Sequence, residues 1–363
     1  MISWAIALKE IAAYDAAGPL LAHALSTCEQ VHGPEHLNTA KSINYLAELR
    51  RAQGDYSFAE QLHRRGLAIR ERTLGPEHRD TADSKNNLAI LLKTKGDYAA
   101  AEPLYQQALK VLEQSLGTDH PEVAWALCNL GELQRTRKDF DAAEPLFRRG
   151  LAIREKVLGD GHPDTASALS SLGVLLGNKS DYDGAEPLLR RALVIHENVL
   201  GPNHPDTARS LNNLASNLFH KRSYEAAELL YRRCLAVREN VLGPGHESTA
   251  VVINNIASLL VAKGDYNAAE PLHRRALAVF EHVLGPDHLK TATALGSLAK
   301  LLEAKRDYAR AEPMYQKALG VIEVALGKDS DSANRVRGRL AKIRECMTPP
   351  AEVDGSSKAS DPH

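Results

Sequence analysis

Seven histidines stand 42 residues apart, at His36, His78, His120, His162, His204, His246 and His288. Histidine at regular spacing raises the question of a metal. Zinc needs ring nitrogens about 2.0–2.1 Å from the ion. Copies one structural repeat apart are separated by at least a helix-packing distance, ~8–10 Å. No two equivalent histidines can share an ion, so the series is expected to serve the backbone as loop or helix-capping residues, with no metal. His32 and His36 are four apart, but Gly33 and Pro34 break the helix that would align them. No His-Glu-x-x-His or Gly-x-Ser-x-Gly pattern occurs, and Gly327–Lys328 lacks an upstream glycine at phosphate-loop spacing. Cys28, Cys128, Cys234 and Cys346 are far apart with no Cys-x-x-Cys, which argues against a disulfide framework and for a reducing, cytoplasmic setting. Neither a catalytic group nor a cofactor is expected.

Two further series are polar. Arg-Arg pairs begin at Arg64, Arg148, Arg190, Arg232 and Arg274, each four residues after a glutamate: Glu60, Glu144, Glu186, Glu228 and Glu270. That order is favourable on a helix, at ~0.2–0.5 kcal/mol per pair, and predicts a neutralised, solvated face rather than an anion ladder. Asparagines occupy one register at Asn44, Asn86, Asn212 and Asn254, and the next at Asn87, Asn129, Asn213 and Asn255. Asparagine is an indifferent helix former, so propensity does not explain its recurrence. Its amide both donates and accepts, as an extended peptide backbone requires. The competing reading is hydrogen bonding between repeats.

The elements that carry these residues repeat without interruption. Glycine recurs at 75, 117, 159, 201, 243, 285 and 327, and an aromatic ring at Tyr14, Tyr56, Tyr98, Phe140, Tyr182, Tyr224, Tyr266 and Tyr308. A fixed period of this size marks a solenoid in which each unit packs on its neighbours. In one unit, Ala208, Leu211, Leu214, Ala215 and Leu218 stand at helical spacing, with Pro205 suited to the first helical position and Asp206 to its positive end. A second stripe runs through Ala227, Leu230, Tyr231, Cys234, Leu235 and Leu242, and Gly243 is expected to end it in a left-handed conformation. Between the two lies Gly-Asp-Tyr or a variant, a turn whose aspartate can cap the second helix. Each unit is therefore an antiparallel pair, helix A then helix B. Small residues such as Ala47, Gly131, Gly173 and Ala215 in A, and Ala59, Ala143 and Gly150 in B, fall where helices must approach. Prolines 19, 103, 145, 187, 271 and 313 lie about six residues into helix B. An interior proline removes a hydrogen bond and kinks a helix, so a shared bend is expected, absent where Gln61 and Leu229 replace it.

Leu214-Ala215, Ala227, Tyr231 and Cys234 resemble the tetratricopeptide repeat signature. The 42-residue length, with "NNLA", "YxxAEPL" and "LGxxHP", is similar to kinesin-light-chain-type repeats over residues 14–327; the heptad region of a kinesin light chain is absent. The resemblance implies an all-α solenoid, a right-handed superhelix of about seventeen helices in eight repeats, the first truncated. The expected repeats are 1–36, 37–78, 79–120, 121–162, 163–204, 205–246, 247–288 and 289–330, followed by a cap helix at 331–347 and a disordered tail at 348–363. It also implies a non-enzymatic scaffold that holds an extended partner segment in a groove lined by helix A. On that reading the groove residues are Asn44, Asn86, Trp125, Arg135, Arg209, Asn212, Ser216, Phe219 and Asn254, with Trp125 and Phe219 as aromatic anchors. A regulatory arm of a larger signalling protein is the alternative, suited to a first repeat cut short. An enzyme using the groove as a pocket is the third reading, and no motif supports it.

Composition narrows the partner. The 363 residues include 45 basic and 46 acidic side chains, a formal net charge of −1. No global field would draw nucleic acid or an anionic membrane. No apolar run is long enough to span a bilayer, and Met1–Ala13 is interrupted by Lys9 and Glu10, unlike a signal peptide. The expected partner is a protein or peptide.

Overall fold

The computed structural model describes residues 14–347. The first thirteen residues of the expected truncated first repeat and the tail from Thr348 lie outside the described residues. All regular structure among the described residues is helical, in sixteen helices. They are α1 Tyr14–His32, α2 Leu37–Ala52, α3 Tyr56–Leu74, α4 Arg79–Lys95, α5 Tyr98–Leu116, α6 Pro121–Thr136, α7 Phe140–Leu158, α8 Pro163–Asn178, α9 Tyr182–Leu200, α10 Pro205–His220, α11 Tyr224–Leu242, α12 Glu247–Lys263, α13 Tyr266–Leu284, α14 Leu289–Ala304, α15 Tyr308–Leu326 and α16 Asp331–Met347. Even-numbered helices are A and odd-numbered helices are B; α16 follows the last pair. The chain forms two compact units, up to Val237 and from Arg238. Within each, consecutive helices pack as antiparallel neighbours, and A helices also touch the next A helix, as α6 touches α8 and α12 touches α14.

Small residues set the spacing of the pairs. Ala47, Ala89, Ala215, Ala59, Ala143 and Ala227 are fully buried. Where the A helix carries glycine, the facing B residue has advanced into its place. A Cβ on Gly173 would lie 2.7 Å from Leu189 Cγ, and one on Gly131 would lie 3.2 Å from the Phe147 ring. The six prolines lie inside continuous 19-residue B helices, at exposed positions where water can reach the carbonyl left without a donor.

Capping defines both turns. Asp55, Asp97, Asp139, Asp181, Asp265 and Asp307 each precede a B helix and accept from the amide three residues on, as the Gly-Asp-Tyr motif predicts. Pro121, Pro163 and Pro205 occupy the first turn of their A helices.

The glycine that ends each B helix departs from expectation. Its φ is positive, 85–90°, but its ψ is 155–167° at Gly75, Gly117, Gly159, Gly201, Gly285 and Gly327. That is an extended, glycine-only region rather than the left-handed helical one. The chain leaves helix B directly along the loop, and the glycine carbonyl turns to accept a threonine hydroxyl six residues on. Thr39, Thr81, Thr165, Thr207, Thr249 and Thr291 make this bond at 2.7–2.9 Å. The left-handed conformation appears instead after helix A, at Gly96 and Gly264 with ψ of 3° and 2°. At the same register Lys138, Ser180, Arg222 and Arg306 are held at φ of 61–66°.

A non-glycine residue in that region is strained, and the structure surrounding Gly96 leaves open space where a Cβ would go. Backbone strain alone therefore separates the two residue types. Ser180→Gly and Lys138→Gly should each raise stability by about 0.5–1 kcal/mol, and Gly96→Ala should lower it by a similar amount. Urea melts of the three variants check this; a stabilised Gly96→Ala would contradict it.

Candidate functional site

The periodic histidines are helix caps. His36, His78, His120, His162, His204, His246 and His288 each stand at the N-cap of an A helix, and the side chain accepts from the amide two residues on. Nδ1 is the acceptor, at 3.0–3.3 Å. No group of three or more His, Cys, Asp or Glu side chains able to hold a metal occurs among the described residues.

The double arginines are likewise accounted for. The first of each pair closes on the glutamate one turn back, as in Glu60–Arg64 and Glu186–Arg190, at 2.7–2.9 Å. The second reaches the preceding repeat: Arg65 to Glu29, Arg149 to Glu113, Arg191 to Glu155, Arg233 to Glu197 and Arg275 to Glu239, at 2.6–2.7 Å. The same glutamates accept from a lysine of the next A helix, as Glu144 does from Lys179 and Glu186 from Lys221. Lys305, Arg274 and Arg310 together hold the Glu270 carboxyl down to about 2.

In the first unit the A helices line three clefts. One, of about 470 Å³, is bounded by Lys41, Asn44, Tyr45, Arg70, Asp80, Asp83, Asn87, Glu122 and Trp125. The next, of about 540 Å³, is bounded by Trp125, Cys128, Asn129, Glu132, Arg135, Arg154, Asp164, Ser167, Ser170, Ser171, Val174, Arg209 and Asn213. A third, of about 140 Å³, takes in Gly173, Val174, Tyr182, Asn212, Asn213, Ser216, Asn217 and His220. Trp125 borders the first two, and Val174 and Asn213 border the last two, so the clefts run on along helices α2, α4, α6, α8 and α10.

Of the residues expected in a groove, Asn44, Trp125, Arg135, Arg209, Asn212 and Ser216 border these clefts. Arg135 pairs with Glu132, and Arg209 pairs with Asp206 at 3.1 Å and donates to Ser167 Oγ at 3.2 Å. Phe219 is half-buried against His220 and Tyr224, with centroids 5.3 and 5.9 Å away. Asn254 belongs to the second unit, where its Oδ1 lies 2.8 Å from Nδ1 of His273. Asn86 is a correction: it has no exposed surface, because its register turns toward the next A helix there. Asn129 Nδ2 donates to Asn86 Oδ1 at 3.4 Å, and Asn87 Nδ2 to Asn44 Oδ1 at 3.2 Å. The two registers thus form inter-repeat bonds, and Asn86 is unable to touch a ligand in this conformation.

Sequence reasoning missed the B-helix contribution. Arg70, Arg154, His196 and Arg238 share one register and reach beneath the following A helix: Arg70 donates to Ser84 Oγ, Arg154 Nη1 to the Asp164 carbonyl at 2.8 Å, and Arg238 to the Ser248 carbonyl. Their 42-residue or 84-residue spacing is visible in the sequence, but leucine at 112 and phenylalanine at 280 hide it as a core position. Asp83 borders the first cleft. Burial and the neighbouring Glu122 carboxylate push it up to about 6, against the pull of Arg79. Burial also pushes the Cys128 thiol up, which disfavours the thiolate a nucleophile needs.

A tetratricopeptide repeat model matches overlapping segments from residue 3 to residue 323 (3–72, 43–114, 80–156, 137–193, 164–240, 213–281 and 248–323). The chain belongs to the tetratricopeptide repeat family. Its unit recurs every 42 residues. Among solved structures it is similar to BtubC (BKLC) from P. vanneervenii, at 24% identity, TM-score 0.54, covering 64% of this chain and 93% of that one. It is also similar to a Rap protein complexed with competence and sporulation factor, at 14% identity, TM-score 0.51, covering 91% and 99%. A putative kinesin light chain from Podosopora anserina with nearly identical repeats matches at 23% identity, TM-score 0.48, covering 57% and 98%. No curated protein matches the chain in sequence. No helix among the described residues is long and apolar enough to cross a membrane.

The buried and half-buried histidines of this repeat array make its stability pH-dependent. Burial pushes His196, His246 and His288 below the usual histidine range, and His273 down to about 4. At His246 and His288 only a neutral ring can accept the capping bond. The unfolded chain takes up protons near the ordinary value of about 6.5, before the folded chain does. The stabilisation is thus complete above that value and is lost as pH falls toward the folded values. Melting temperature should decline from pH 7.5 to pH 5 in a circular-dichroism series; a flat or rising profile would overturn the assignment.

Proposed function

We propose that this tetratricopeptide repeat protein is a non-enzymatic scaffold that holds an extended segment of a partner protein along the A helices of its first unit. The observation that carries the reading is the run of clefts from Lys41 to His220, joined through Trp125 and through Val174 with Asn213. A run bordered by five successive A helices suits a linear ligand better than a compact one. The lining supports the same reading. Amides at Asn44, Asn87, Asn129, Asn212 and Asn213 can serve a peptide backbone as donor and acceptor. Trp125 offers an aromatic surface between two clefts. Both clefts mix charges: Asp80, Asp83 and Glu122 outnumber Lys41 and Arg70 in the first, and Arg135, Arg154 and Arg209 outnumber Glu132 and Asp164 in the second.

The absence of catalysis in this reading rests on the chemistry of the lining. The cleft thiol is shifted away from its reactive form, and the capping histidines have Nδ1 engaged with the backbone. Like-signed surface charge is neutralised on the B helices by pairs that bind repeat to repeat, which leaves the A-helix clefts as the place of recognition.

A partner captured on the purified chain and identified by mass spectrometry provides the ligand for titration. Asn212→Ala should weaken its binding by ~0.5–1.5 kcal/mol and Trp125→Ala by about 2 kcal/mol or more, with helicity unchanged. Arg190→Ala, on helix B, should leave affinity almost unaltered, and affinity should fall only modestly with salt because the lining charges are mixed. Binding abolished by Arg190→Ala and untouched by the other two would place the ligand on the B helices and refute the proposal.

A further inference from the structure

The cleft between α6, α8 and α10 contains an arginine that the fold does not neutralise. Arg154 comes from α7 and is only 8% exposed, yet it borders the cleft. Its hydrogen bond is to a neutral acceptor, the Asp164 carbonyl. Among the described residues no carboxylate lies within ion-pairing distance of its guanidinium. The other cleft arginines differ: Arg135 has Glu132 and Arg209 has Asp206. Arg70, the equivalent of Arg154 two repeats earlier, is countered by the fields of Asp80 and Asp83. A buried cation without a counter-charge is costly to the fold.

A second buried group borders the same cleft. Ser170 is 4% exposed, and its hydroxyl has no hydrogen-bond partner. It borders the cleft together with Arg154, Ser167 and Ser171. A hydroxyl and a guanidinium, both left unmatched, offer donors and a positive charge to one acceptor. Carboxylates and phosphates both use arginine in this way, through paired N–H donors.

We infer that the Arg154–Ser170 pocket is a receptor for one oxyanion, a carboxylate or a phosphoryl group, carried by the bound segment. The inference deepens the segment-binding reading and rests on it for the ligand's identity. The oxyanion completes the ion pair that Arg154 lacks, and Ser170 donates to it. The segment is thereby fixed in register at the point where its negative charge meets Arg154. Trp125 borders the same cleft and reports on it.

The test uses the full chain with Trp4→Phe, which leaves Trp125 as the single tryptophan. Its fluorescence is followed on titration with inorganic phosphate and, separately, with glutarate, at ionic strength held constant with chloride. A saturable change with either probe is expected, and the tighter probe identifies phosphoryl or carboxylate as the natural group. Arg154→Met should weaken that response at least tenfold while leaving the melting temperature unchanged or raised, because it removes an uncompensated buried charge. Ser170→Ala, which deletes only a hydroxyl, should weaken it about threefold and serves if Arg154→Met is unstable. No response beyond the chloride control, or a response retained in both variants, would overturn the inference. A null result with these small ions leaves the segment-binding reading standing. Conversely, partner binding insensitive to Asn212→Ala leaves the oxyanion pocket standing.

Discussion

The structure depends on how the chain passes from helix B to the next helix A. Three bonds close that passage. The glycine carbonyl accepts the threonine hydroxyl six residues on, the histidine ring caps the following helix, and the histidine amide points back to the glycine carbonyl at 3.4 Å in the best-formed copies. The threonines at these positions are fully buried, so the polar loop becomes part of the core. A loop tied at three points has little freedom to gain or lose a residue. This accounts for a period that stays at 42 through seven copies of histidine. It also fixes the direction in which each A helix starts, and with it the faces that border the clefts.

Charge follows from the same regularity. A fixed period places a B-helix arginine 36 residues after a glutamate of the preceding repeat, and a lysine of the next A helix 35 residues after a second glutamate. Such pairs are individually weak at a solvated surface. Repeated along the B helices within each unit, they match charges with opposite ones and tie neighbouring repeats together. In the A-helix clefts the pattern is broken: Trp125 stands alone in its register, and serine replaces asparagine at Ser170.

The helix pairs, their caps and the family were legible in the sequence because each depends on local chemistry. Asp at an N-cap, proline in a first turn and alanine or glycine on a buried stripe act within one or two turns of their own helix, and the 42-residue period copies them. The neutralised double arginines were legible for the same reason, since the first of each pair closes on a glutamate four residues away. The extended ψ of the loop glycines was not, because it is set by the threonine bond rather than by the helix it terminates.

The clefts were decided by tertiary structure. Sequence spacing placed Asn86 and Asn44 in one register, and packing separated them: Asn86 is buried against Asn129, whereas Asn44 borders a cleft. Spacing also gave no sign that Arg154 of one helix would reach beneath another to meet Ser170, sixteen positions along the chain, at a common surface. Sequence alone determined the repeat, because a helix pair is built from neighbours in the chain. Burial of an amide and the missing partner of a guanidinium depend on how successive repeats stack, and only the folded structure fixes that distance.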